Sequence, residues 1–170
     1  CIRDRGYSMG GWIGFGIAKY APERFHSLVI GGMHPYEPNT DELAAIDSDI
    51  QLFKKGIGAV VTATEEILGP KITPNMKTRL AANDPEAIVA LMSSRDFTLS
   101  LEDVLPTIRM PCLVYAGESD SFYSSAKKCV KSMPNATFIS LPGLDHRETL
   151  YQSEAVLPYI TKFLETVSKT

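Results

Sequence analysis

A chain of 170 residues, 44% hydrophobic, with a formal net charge of −3 and 22% charged residues, is long enough for one domain that buries about 70% of its unfolded surface. No basic patch or acidic tract stands out, which argues against nucleic acid and membrane surfaces as partners. No apolar run approaches the ~20 residues of a membrane span and no signal-peptide pattern is read, while three cysteines (Cys1, Cys112 and Cys129) without framework spacing predict a reducing, cytoplasmic setting.

The start of the chain is charged: Cys1-Ile2-Arg3-Asp4-Arg5 places three charges in the five residues before Gly6. Buried unpaired charges are expensive, so a strand here is predicted to be short, frayed, at a sheet edge or paired with something outside the sequence. Gly6-Tyr7-Ser8-Met9-Gly10-Gly11 follows and reads as G-x-S-x-G, a serine on a sharp strand-to-helix turn. The glycines are expected because side chains there would collide with the neighbouring strand and helix. Met9 to Ala21 reads as a helix apolar on every side, hence buried, broken at Pro22. His26 to Ile30, closed by Gly31-Gly32, is a buried strand.

From Tyr36 to about Leu105 helical spacing replaces strand signals. Leu43, Ile46, Ile50 and Phe53 form one stripe; Ile57, Val60, Val61, Thr64 and Leu68 form another, stopped at Gly69-Pro70. Thr73-Pro74 and Asp84-Pro85 read as N-caps followed by proline in the first helical position. The whole is a set of about four helices inserted into an α/β sheet, an insertion of the kind that covers a pocket. Strand grammar resumes at Pro111 to Gly117, followed by the turn Glu118-Ser119-Asp120 and a helix from Ser121 to Met133. Ala136 to Leu141 is the next strand, ending in the loop Pro142 to His146, and an amphipathic helix from Ser153, with Pro158 inside it, closes the chain. Strands alternating with helices imply a parallel sheet of about four strands whose site lies at the carboxyl ends of the strands. The expected division is 1–35 with 106–170 as core and 36–105 as helical cap.

Three residues sit just past predicted strands: Ser8, Asp120 and His146. A serine hydroxyl needs an adjacent base at neutral pH, imidazole suits that pH, and the imidazole needs a carboxylate to fix its tautomer and stabilise its cation. The chain order Ser, Asp, His is the one expected with G-x-S-x-G. Glu118 on the same turn and Asp145 beside the histidine remain alternatives for the acid. His26 and His34 read as structural, with His34 a candidate to line the pocket. No His or Cys pair has metal-ligand spacing, and the glycine-rich stretch lacks the lysine of a P-loop, so neither metal nor nucleotide is expected.

On GYSMGG, the acid turn AGESD, the histidine loop LPGLDH and the helical insertion, the sequence resembles the α/β-hydrolases, from the elbow to the C-terminus, and within them small esterases and lactonases. The resemblance implies Ser8 as nucleophile, Asp120 as acid, His146 as base and the Met9 amide as one oxyanion donor, with no cofactor. Met33, His34, Tyr36, Phe122 and Leu144 are the candidate substrate contacts and suggest a small or medium apolar acyl group. Family members carry further strands ahead of the elbow strand, together with a loop that supplies a second oxyanion donor; this sequence shows no counterpart. Losing such a donor costs ~10²–10³ in rate. An uncovered elbow strand is also expected to pair with another chain, giving self-association. The same triad letters would fit an acyltransferase, a carbon–carbon bond hydrolase, or a weakly active module used for binding or assembly.

Overall fold

The apolar runs of the sequence become the middle of a parallel sheet. The structure, a computed structural model, describes residues 2–94 and 99–168, with side chains from residue 4 onward. Strands β1 (Ile2–Tyr7), β2 (Phe25–Gly31), β3 (Cys112–Gly117) and β4 (Ala136–Leu141) lie in the order β1-β2-β3-β4, every neighbouring pair parallel. Leu28 sits opposite Cys112, and Cys112 opposite Ala136. β3 is buried along its whole length and β2 from Ser27 onward, as strands covered on both faces must be.

The charged strand β1 takes an edge of the described sheet, with Asp4 half-buried and Arg5 exposed. It is neither frayed nor short: it pairs with β2 as far as Tyr7. The Arg5 guanidinium donates to the Tyr115 hydroxyl at 3.0 and 3.3 Å and stands 5.9 Å from the centre of that ring.

Helix α1 (Met9–Tyr20) lays Gly11, Gly14, Phe15 and Ala18 against the sheet. It is not buried all round, as its composition predicts: Ile13 is 46% and Tyr20 79% exposed, because the sheet covers only one side of the helix. On the other face of the sheet, Val29, Leu113, Tyr115 and Leu141 form a core with Val156 and Ile160 of α8 (Ser153–Val167). Alternation along β2 makes this division, Leu28 and Ile30 facing α1 and Val29 facing α8. Each such aliphatic side chain contributes about 1.5–3 kcal/mol by burial. α8 runs unbroken through Pro158, which sits on its exposed side.

The chain divides into two compact units, Cys1–Tyr36 with Ser100–Thr170, and Glu37–Leu99. The second is helical: α2 (Thr40–Lys54), α3 (Ile57–Leu68), α4 (Pro74–Ala81) and α5 (Pro85–Met92). Its caps are those the sequence spells out. The Thr73 hydroxyl accepts from Met76 N–H at 3.2 Å, and the Asp84 carboxylate accepts from Glu86 and Ala87 at 2.9 and 3.2 Å. The 3-10 turn Glu102–Thr107 belongs with the sheet unit, its Val104 and Leu105 buried. The helix expected from Ser121 to Met133 is shorter, α6 (Tyr123–Cys129), followed by a 3-10 turn. A short helix, α7 (His146–Tyr151), occupies what the sequence reading leaves without an element. Among the described residues no helix is long and apolar enough to cross a membrane.

Candidate active site

Ser8 holds φ 52° and ψ −119° between β1 and α1, and among the described residues no other non-glycine has a positive φ. Such a conformation costs on the order of 1–3 kcal/mol and persists only where its surroundings enforce it. Here they do. Ser8 N–H donates to the Gly31 carbonyl at 2.9 Å, while the Ser8 carbonyl accepts from Gly11 and Trp12 at 2.8 and 3.1 Å, so β2 and the first turn of α1 clamp the residue from both sides.

The glycines divide the work unequally. A Cβ on Gly6 would run into the Gly10 carbonyl, and one on Gly11 would lie 2.9 Å from the Met33 Cβ. Gly10, which the motif also names, has open space around it, so the expected collision falls on Gly6 and Gly11 instead. Met9 opens the helix, and its N–H, in the first turn, has no intrahelical acceptor.

Asp120 follows β3 and its side chain is wholly buried. One carboxylate oxygen accepts the Phe122 N–H at 2.9 Å; the other lies 2.8 Å from His146 Nδ1. With a carboxylate as its partner, Nδ1 carries the proton and Nε2 is left as the basic atom. The rival acids are occupied elsewhere. Glu118 accepts the Ser140 hydroxyl at 2.7 Å. Asp145 caps α7, accepting from Glu148 N–H at 2.7 Å while the Glu148 carboxylate takes the Asp145 N–H at 3.0 Å.

His146 stands at the start of α7, just past β4, its side chain 23% exposed. Its ring lies between those of Tyr7 and Phe122, with centroids 5.1 and 5.4 Å away. The row continues from Phe122 to His34 at 5.7 Å and from His34 to Tyr36 at 5.6 Å, with the Lys128 ammonium 4.4 Å from the Tyr36 ring centre. His34 is buried, and its Nδ1 accepts the Tyr36 N–H at 3.1 Å, which leaves its proton on Nε2.

The structure therefore brings Asp120 and His146 into direct contact and gathers Phe122, His34 and Tyr36 beside them. Ser8 is tied to Gly31, and the α-carbon of the next residue, Gly32, faces the His146 ring, where a Cβ would come 3.1 Å from Cε1. Met33 is buried against α1 near Gly11, and Leu144 packs on the α8 core. Tyr7 is the site neighbour that the sequence reading passes over. Among the described residues no three His, Cys, Asp or Glu side chains converge as metal ligands would.

No family model matches the chain. It is 26% identical over 175 residues to the polyketide synthase ThaQ of Burkholderia thailandensis, a match covering 94% of this chain and 8% of that protein. Among solved structures, an esterase from Thermogutta terrifontis superposes with a TM-score of 0.75 at 19% identity, over 98% of this chain and 65% of that one. A structure from work on the carboxylesterases of Nitrososphaera gargenis superposes with a TM-score of 0.78 at 16% identity, over 99% of this chain and 66% of that one. The fold is that of the α/β-hydrolases, and the chain spans about two thirds of the length of these two structures.

Proposed function

We propose that the chain carries the nucleophile, acid and base of a serine hydrolase that cleaves carboxylic esters or related acyl substrates. The observation that carries this reading is the buried Asp120 carboxylate held 2.8 Å from His146 Nδ1, on the same sheet end as a serine forced into an elbow. In it, Ser8 Oγ attacks the substrate carbonyl as His146 Nε2 takes the hydroxyl proton, and Asp120 stabilises the resulting imidazolium. The Met9 N–H donates to the oxyanion. His146 returns the proton to the leaving alcohol, and water, activated by the same base, then releases the acyl group from Ser8. Met33, His34, Tyr36, Phe122 and Leu144 are read as contacts for a small or medium apolar acyl group. A reducing, cytoplasmic setting fits Cys112 and Cys129, both buried free thiols.

Hydrolysis of a short-chain p-nitrophenyl ester, with Ser8→Ala as comparison, tests this. The substitution is expected to lower kcat by on the order of 10³-fold or more. Equal background rates for both proteins would overturn the hydrolase reading.

A second reading, an assembly module that keeps the triad letters, is favoured by the surface beside the elbow. β1 pairs with β2 alone among the described strands, and α1 next to it exposes Ile13 and Tyr20. In this reading the chain self-associates along that edge. A fluorophosphonate probe separates the two readings, since an assembled triad labels at Ser8 and a disassembled one does not. Light scattering that shows a monomer at micromolar concentration would end the self-association proposal.

A further inference from the structure

The geometry points to Tyr7 as a positioning residue for His146, a role that rests on the triad reading above. Tyr7 is the variable residue of the elbow motif, and its side chain leaves β1 on the face that carries Tyr115 and the α8 core. Its hydroxyl donates to the backbone carbonyl of His146 at 2.7 Å, across 139 residues of sequence. Its ring lies against the imidazole at a tilt of 47°.

Two grips thus fix the histidine. Asp120 holds the ring at Nδ1 and Tyr7 holds the main chain of the same residue, which opposes both rotation of the imidazole about its side-chain bonds and displacement of the start of α7. The phenol is mostly buried, and burial, with the Asp120 charge next, pushes its ionisation well above the ordinary tyrosine range, so it stays a donor.

The surroundings are shaped around this contact. A Cβ on Gly31 would run into the rings of Tyr115 and Tyr7. One on Gly32, at φ +56°, would come within 2.7 Å of the Tyr7 hydroxyl and 3.1 Å of His146 Cε1. Gly31, the last residue of β2, and Gly32 just after it leave the slot in which the tyrosine reaches the histidine.

Tyr7→Phe removes the hydroxyl and keeps the ring. The first readout needs no turnover: the downfield proton NMR signal of His146 Nδ1–H, recorded in a Ser8→Ala background. Exchange of that proton is expected to be about 5–10-fold faster in Tyr7→Phe, the share of one hydrogen bond, and unchanged in Tyr115→Phe, which loses the Arg5 contacts instead. The second is ester hydrolysis, where kcat should fall by about the same 5–10-fold while KM stays within about twofold. Circular dichroism of each variant checks that the fold is kept. Unchanged exchange and unchanged kcat would overturn the proposal, as would absence of the downfield signal in the parent. Faster exchange in proteins that never hydrolyse the ester would sustain the tether and overturn the hydrolase reading.

Discussion

At the residue scale, three carboxylates are candidates to orient the histidine, and their surroundings separate them. Glu118 is committed to Ser140, Asp145 to the start of α7, and only Asp120 is both buried and in contact with the imidazole. Asp120→Asn is expected to cut the esterase rate by on the order of 10⁴-fold, because the amide favours the wrong histidine tautomer. Glu118→Gln should leave kcat within about twofold, since it alters an exposed hydrogen bond; a loss comparable to that of Asp120→Asn would reverse the assignment. Burial pushes the thiols of Cys112 and Cys129 up to about 12, so neither carries appreciable thiolate at pH 8. In a Cys1→Ser variant, iodoacetamide at that pH should modify the protein only as denaturant unfolds it. Modification of the native protein would show that the core opens locally. Ser8, Asp120 and His146 could be picked out as candidates from the sequence because the chemistry admits few substitutes for them. Asp120 came first among the carboxylates with Glu118 and Asp145 left as alternatives; the contact with His146 itself was out of reach, since it depends on where two strand ends meet. Tyr7 was hidden for the same reason, its partner lying at the far end of the chain.

At the scale of elements, what the sequence expresses through neighbours three or four residues apart is what it makes legible. Thr73-Pro74 and Asp84-Pro85 are local devices, and both act as N-caps in the structure. Thr73→Ala and Asp84→Ala should each destabilise the helical unit by about 1 kcal/mol, read as a lower urea midpoint with an unchanged slope. A change in neither would mean that packing alone holds these helices. α7 has the same kind of signal, since Asp145 and Glu148 are spaced as a capping box, a spacing the sequence reading leaves unused. The failure at α1 is of another sort. Composition told how apolar the helix is and could not tell how many of its sides the sheet covers, so Ile13 and Tyr20 stand exposed.

At the scale of the whole molecule, alternating strands and helices made the parallel sheet legible, while the charges before Gly6 left an edge as one of several places for β1. What stayed out of reach was how closely the ends of the helical insertion approach each other. Leu101 N–H donates to the Pro35 carbonyl at 2.6 Å, so the chain leaves the sheet unit and returns to it at a single gate. A segment joined in this way is exchangeable. Replacing residues 37–99 with a short Gly-Ser linker should yield a folded sheet unit, and the shorter loop lowers the closure cost between β2 and β3 by about 1 kcal/mol. A cooperative thermal transition in the shortened protein would show this; a molten chain would show that the helices are needed for folding. The gate also frees heredity: a new helical module can be spliced in by recombination, or the present one can drift, without the sheet and its strained serine having to be invented again.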